Sequence, residues 1–296
     1  MQYDGRYAPS PTGTLHLGNL RTALLAWLFA RSAGARFLVR IEDLDAGRIR
    51  EPYYDEQLAD LAAIGLDWDG EVVRQSERGD LYEAALAKLP LYECFCTRAE
   101  IRQAVSAPHG PLPEGAYPGT CRDLDGAARE TRRRVRAPAL RVDARGARIV
   151  FTDRQLGEHE GVVDDFVMRR ADGAVAYNLA VVVDDAAQGI GEVVRGADLL
   201  ESTPRQLWLA RALGLPEPRH AHVPLVLGPD GSRLAKRHGA VTLRDVAPAR
   251  ALAWMAASLG LHGATPREML ARFDPTALPR EPSTLGGAAS SQRSSS

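Results

Sequence analysis

Some residues in this chain stand where a bare turn has no use for them. In Arg6-Tyr-Ala-Pro-Ser-Pro-Thr-Gly-Thr-Leu-His-Leu-Gly-Asn-Leu20, two prolines and a glycine make the turn, yet His16 and Asn19 follow where a helix begins. A strand that turns tightly into a helix leaves backbone N–H groups unpaired at the helix entrance. Together with the helix dipole they favour an anion, typically phosphate. Gly13 and Gly18 allow a ligand close to the backbone. The dipole keeps His16 neutral, and a neutral imidazole still donates one hydrogen bond, as does the Asn19 amide. The competing reading is an ordinary strand-to-helix turn that happens to carry a histidine.

A second group is the set of cysteines. Cys94, Cys96 and Cys121 are the only three in 296 residues and share one short segment. An odd number argues against a disulfide framework. Three thiolates around a loop rich in Pro and Gly suit a structural zinc ion, which needs a fourth ligand. His109, inside the segment, is the chemically commoner choice. The competing reading is three reduced, unliganded thiols.

Elements must position these groups. Arg6–Ala8 reads as a strand end. Leu20, Leu24, Trp27 and Leu28 recur at helical spacing before Gly34, and Phe37–Ile41 reads as a second strand. That β-turn-α-β unit predicts an α/β fold with a parallel sheet. Further helices are expected at 57–64, 81–89 and 201–213, and strands at 148–152 and 166–169. The apolar run Val175–Val183 reads as a buried strand. Residues 94–125 read as an irregular insertion, and Thr242–Arg272 as a couple of helices. A disordered tail is drawn over 281–296, where Gly286–Ser296 has almost nothing to bury.

The bulk numbers exclude little. Hydrophobic residues make up 45%, enough for a core, and the formal net charge is −1. A nucleic-acid partner therefore needs a local basic face, for which Arg129-Glu-Thr-Arg-Arg-Arg-Val-Arg136 is the densest candidate. There is no apolar leader and no run of roughly 20 apolar residues, so a cytoplasmic protein off the membrane is expected.

The stretch from Arg6 to Asn19 resembles the signature of class I glutamyl-tRNA synthetases, with His16–Asn19 as a variant of their "HIGH" element. Arg233-Leu-Ala-Lys-Arg237 resembles their "KMSKS" loop, with Arg233, Ala235 and Arg237 departing from it. The resemblance implies a Rossmann-like catalytic domain in two halves, 1–93 and 126–240, interrupted by the zinc-binding insertion 94–125 and followed by a helical remnant at 241–280. It implies ATP, with Mg(2+), at His16, Gly18, Asn19 and Lys236, of which His16 and Lys236 are the catalytic residues. It places glutamate at Arg6, Tyr7, Ala8, Pro9, Ser10, Glu42, Tyr177 and Arg195, with Glu42 near the ammonium group. Two arginines suit an acidic side chain, because a guanidinium fork can bind both carboxylate oxygens. Without the resemblance, Tyr177 reads as a packed strand residue, and Glu42 and Arg195 as ion-pair members.

Fewer than 60 residues follow Arg237, so no large anticodon-binding domain is expected. The chain is thus similar to the truncated glutamyl-queuosine tRNA(Asp) synthetases over roughly Gly5–Leu243. In that group the motif C-x-C…Y-x-x-x-C implies zinc on Cys94, Cys96, Cys121 and Tyr117. The implied activity is ATP-dependent, tRNA-independent activation of glutamate and its transfer to queuosine in tRNA(Asp), with no obligate protein partner. The alternatives are a truncated enzyme charging tRNA(Glu), a small-molecule nucleotidyltransferase, which usually carries a second histidine where Asn19 stands, and a silent RNA-binding paralogue.

Overall fold

A computed structural model of the chain describes residues 3–105, 116–228, 231 and 241–285. Its strands are β1 (Asp4–Tyr7), β2 (Phe37–Ile41), β3 (Val73–Arg74), β4 (Leu91–Cys94), β5 (Ala139–Val142), β6 (Ala147–Asp153), β7 (Gly157–Val163), β8 (Val167–Arg169), β9 (Ile190–Gly196), β10 (Arg219–Val223), β11 (Val226–Leu227) and β12 (Ser283–Thr284). Its helices are α1 (Leu17–Ser32), α2 (Pro52–Ala63), α3 (Gly79–Leu86), α4 (Arg98–Val105), α5 (Gly126–Arg133), α6 (Tyr177–Ala187), α7 (Thr203–Leu213), α8 (Pro248–Leu259) and α9 (Pro266–Leu270).

The main sheet runs β3-β2-β1-β9-β10-β6-β7, parallel except for the antiparallel edge strand β7. Every residue of β1 and β2 is buried, the mark of central parallel strands covered on both faces. The largest apolar core lies between the sheet, α1 and the C-terminal helices; a second gathers α3, α6 and α7, and a small one surrounds the cysteines. A Cβ on Gly5 would meet the Ala30 side chain at 3.0 Å, so α1 sits this close to β1 only because Gly5 has none. Chain order reverses at β1, which has β2 on one side and β9 on the other. Such a switch point opens a crevice at the carboxyl ends of the strands.

Val175–Val183 is not a strand. Tyr177 starts α6, and Leu179–Asp185 are all buried. A continuous apolar run reports burial on all sides, not period, and a helix enclosed by α3, α7 and β9 satisfies it equally. The expected disordered tail also begins too early. Within it, Ser283–Thr284 pairs with β11 and Leu285 is buried; only 286–296 fall outside the described residues. Cys94, the first residue of the expected insertion, is the last of β4, and α4 gives that segment regular structure.

Arg21, fully buried in α1, ties the C-terminal part down. It donates to the Pro224 carbonyl (2.8 Å), to Ser258 Oγ (2.9 Å) and to Ser283 Oγ (3.3 Å). Among the described residues, no helix is long and apolar enough to cross a membrane.

Candidate active site and cysteine centre

A cleft of about 560 Å³ opens at the switch point. Every described member of the expected glutamate and ATP sets lines it: Arg6, Tyr7, Ala8, Pro9 and Ser10 from the end of β1, His16, Gly18 and Asn19 from the start of α1, and Glu42, Tyr177 and Arg195. Lys236 and the rest of 232–240 lie outside the described residues.

The first turn of α1 explains its sequence. His16 is the N-cap, and its Nδ1 accepts the Asn19 N–H at 3.2 Å while Asn19 Oδ1 accepts the His16 N–H at 3.3 Å. This reciprocal capping box normally uses Ser or Thr with Glu. An Nδ1 that accepts leaves the ring proton on Nε2, so the imidazole is neutral. The Leu17 N–H is bonded to the Val241 carbonyl at 2.9 Å. Part of the expected anion-binding entrance is therefore satisfied within the protein, and His16 and Asn19 first of all hold each other. A Cβ on Gly18 would come within 3.0 Å of His16 Cε1 and Nδ1, so glycine is needed here for the ring. Gln57 fixes the preceding turn by donating to the carbonyls of Ser10 (3.0 Å) and Gly13 (2.7 Å).

The amino-acid end is a buried charge network. Asp185, in the last turn of α6, accepts from Arg6 Nε at 3.2 Å and from Arg40 Nη1 at 2.8 Å. Burial works against the Asp185 carboxylate, but Arg6 and Arg40 outweigh it and hold its pKa below the usual range. Glu42 lies 3.4 Å from Arg40 Nη2. Burial raises the Glu42 pKa, opposed by Arg40 and Arg6. Glu42 is thus ion-paired with Arg40, as the plainer sequence reading allowed, and Arg6 is ion-paired with Asp185.

Arg195 is different. It is 4% exposed and makes no ion pair with a described carboxylate. Its guanidinium instead donates to neutral acceptors: His222 Nε2 (3.0 Å), Gln206 Oε1 (2.8 Å), Thr203 Oγ1 (2.8 Å), Ser202 Oγ and the Leu199 carbonyl (both 3.3 Å). Burial lowers its pKa. A buried cation at a cleft wall, held by dipoles rather than by an anion, is arranged to receive one. Tyr177, 40% exposed at the start of α6, lines the same cleft; burial and then the Glu42 charge raise its pKa.

Sequence reasoning missed Asp185, Gln57, Gln206 and His222 as parts of this site. The acidic pair Asp184-Asp185 closing an apolar run and the alternation His220-Ala-His222 were the available signals.

The three cysteine sulfurs all lie within 4.8 Å of one another, and Cys96 and Cys121 are 3.5 Å apart. Zinc–sulfur bonds of about 2.3 Å in a tetrahedron place sulfurs about 3.8 Å apart, so the donor set fits that ion. Tyr117, 2% exposed, has its Oη 3.8 Å from Cys96 Sγ and accepts the Cys121 N–H at 2.8 Å. Arg141 stacks 3.8 Å above the Tyr117 ring, and Arg132 reaches Cys121 Sγ at 3.7 Å. Burial first, and then the neighbouring Cys121 and Cys94, push the Cys96 thiol up to about 12. His109 lies outside the described residues. Much of the basic run is locally engaged: Arg133 pairs with Glu93 (2.7 Å) and Arg136 with Glu100 (3.2 Å).

Comparison with known proteins agrees with this geometry. The family described as tRNA synthetases class I (E and Q), catalytic domain, matches residues 3–271. A glutamyl-Q tRNA(Asp) synthetase of Nocardia farcinica is 62% identical, over 94% of this chain and 91% of that protein. One from Symbiobacterium thermophilum is 49% identical, over 94% of each. A solved glutamate tRNA ligase from Elizabethkingia meningosepticum, in complex with its amino acid, superposes with a TM-score of 0.81 at 26% identity, over 98% of this chain and 68% of that one. The chain belongs to the class I tRNA synthetases (E and Q) and, within them, to the glutamyl-Q tRNA(Asp) synthetases, and it is a ligase of the aminoacyl-tRNA synthetase type.

Proposed function

We propose that the protein activates L-glutamate with ATP without needing tRNA, and then transfers it to the queuosine base in the anticodon of tRNA(Asp). The observation that carries the glutamate reading is Arg195, a buried cation without a described carboxylate partner, in one cleft with Glu42 and the His16 turn. Arg195, with Arg6, receives the side-chain carboxylate; Glu42 and Tyr177 face the ammonium group; Tyr7 to Ser10 line the backbone side. The α-carboxylate attacks the α-phosphorus of ATP, forming a P–O bond as pyrophosphate leaves. His16, through its Nε2–H, Gly18 and Asn19 hold the nucleotide, and Lys236 stabilises charge on the leaving pyrophosphate. Mg(2+) accompanies the triphosphate. A hydroxyl of the queuosine ring then attacks the activated carbonyl and AMP leaves. Catalysis on this reading is positioning and charge stabilisation.

Cys94, Cys96, Cys121 and Tyr117 hold a structural zinc ion, which closes the segment 94–125 around its own small core. The catalytic halves 1–93 and 126–240 flank it, and 241–280 form a helical remnant. The name shared by the relatives supports the queuosine acceptor.

Glutamate-dependent pyrophosphate exchange without tRNA tests the first step. Transfer to aspartate tRNA with and without queuosine tests the second. Equal charging of both aspartate tRNAs, or charging of glutamate tRNA alone, overturns the acceptor.

A further inference from the structure

The geometry points to Asp153 and His222 as positioning residues for Arg195: a buried carboxylate–imidazole–guanidinium chain that fixes the substrate-binding fork from behind. Strand pairing lines the three up. Asp153 ends β6, His222 lies in β10 and Arg195 in β9; His222 is paired in register with Arg195, and His220 with Asp153. Both Asp153 and His222 side chains are fully buried.

The proton inventory of the chain is determined by its hydrogen bonds. Asp153 Oδ1 accepts the N–H groups of Gln155 and Leu156, both at 3.0 Å, and the His222 N–H is 3.1 Å from Oδ2. A carboxylate accepting several backbone N–H groups is ionised. It can therefore only accept from His222 Nδ1, 2.6 Å away. A proton on Nδ1 of a neutral ring leaves Nε2 an acceptor. Nε2 takes the Arg195 Nε–H at 3.0 Å. Asp153 thus sets the tautomer, the tautomer supplies the acceptor, and the acceptor fixes the plane of the guanidinium. Among the described residues no other acceptor holds Nε: Gln206, Ser202, Thr203 and the Leu199 carbonyl all hold the terminal nitrogens.

This inference rests on the reading that Arg195 receives the glutamate side-chain carboxylate. Misplacing such a fork affects the ligand that it holds and spares the nucleotide at the other end of the cleft. The test is pyrophosphate exchange by the full chain, varying glutamate at saturating ATP and the converse, for wild type, Arg195→Lys, His222→Leu and His222→Gln. His222→Leu removes the acceptor and should raise the glutamate KM about tenfold, with the ATP KM unchanged. His222→Gln restores an acceptor oxygen near the Nε2 position and should bring the glutamate KM back to within about threefold of wild type. If His222→Leu does not fold, Asp153→Asn takes its place. It keeps the shape but lets the imidazole turn its proton to Nε2, and the same selective rise is expected. A raised glutamate KM for Arg195→Lys with wild-type values for the His222 and Asp153 variants overturns the positioning role alone. So does a parallel loss toward glutamate and ATP. An unchanged glutamate KM for Arg195→Lys overturns the underlying reading of the cleft.

Discussion

Replacing Arg195 by Gln removes a buried cleft cation that no described carboxylate neutralises, and the consequence for substrate choice can be worked out. Arg6 already shares its charge with Asp185, so its pull on a substrate anion is largely spent. Arg195 donates only to neutral groups, so its charge is available. Truncating one partner of a buried, hydrogen-bonded charge pair costs about 2–5 kcal/mol. Taking about 3 kcal/mol, kcat/KM for glutamate should fall on the order of 100-fold. Glutamine, which brings no charge, should lose far less. The ratio of the two specificity constants therefore falls by a similar factor, and pyrophosphate exchange with each amino acid measures it. Stability should change little. The variant gives up hydrogen bonds to Thr203, Gln206 and Leu199 but also relieves the burial of an unpaired charge, and a thermal melt checks this. An unchanged glutamate-to-glutamine ratio, or a large drop in Tm with that ratio intact, refutes the assignment.

Other outcomes follow from the same structure. Gly18→Ala should push the His16 ring aside, since the added Cβ has 3.0 Å to it, and slow glutamate activation about tenfold with little change in Tm. Lys236→Ala should slow activation at least about tenfold; equal exchange rates would remove the lysine from the mechanism. Purified protein should carry about one equivalent of zinc, falling below about half in Cys121→Ser, and Tyr117→Phe should lose zinc to a competing chelator sooner than wild type. Burial, Arg195 and His222 push the His220 imidazole down to about 3. It stays neutral in the folded chain but takes up a proton in the unfolded one below about pH 6.5. The unfolded state then binds more protons, so stability is present above about pH 6.5 and lost as the pH falls toward 3. The urea midpoint should drop between pH 7.5 and 5, and His220→Phe should flatten that slope.

Much of this was readable in the sequence, for identifiable reasons. The turn from Arg6 to Asn19 carries its constraints locally: prolines fix φ, Gly18 clears space, and His16 and Asn19 are three apart, the capping-box spacing. The cysteine cluster is visible because all three thiols come from one segment. What stayed hidden is made by strands distant in sequence. Arg195, His222 and Asp153 meet only once β9, β10 and β6 pair, and no local pattern announces that order. Val175–Val183 misled because burial on every side erases the period that separates helix from strand. The tail was drawn too long because pairing between β12 and β11 depends on a partner more than fifty residues upstream.

The reach of Arg21 bears on how the chain is made. Its partners Ser258 and Ser283 lie 237 and 262 residues downstream, so during synthesis at about 5–20 residues per second they arrive on the order of ten seconds to a minute after it. Until then α1, the helix whose first turn holds His16, presents a charge in the middle of its apolar face. A lone guanidinium there opposes premature burial of that face, as a gatekeeper charge does in an exposed strand. The His16 end of the cleft is therefore among the last parts of the nascent chain to be completed, although it is encoded almost first.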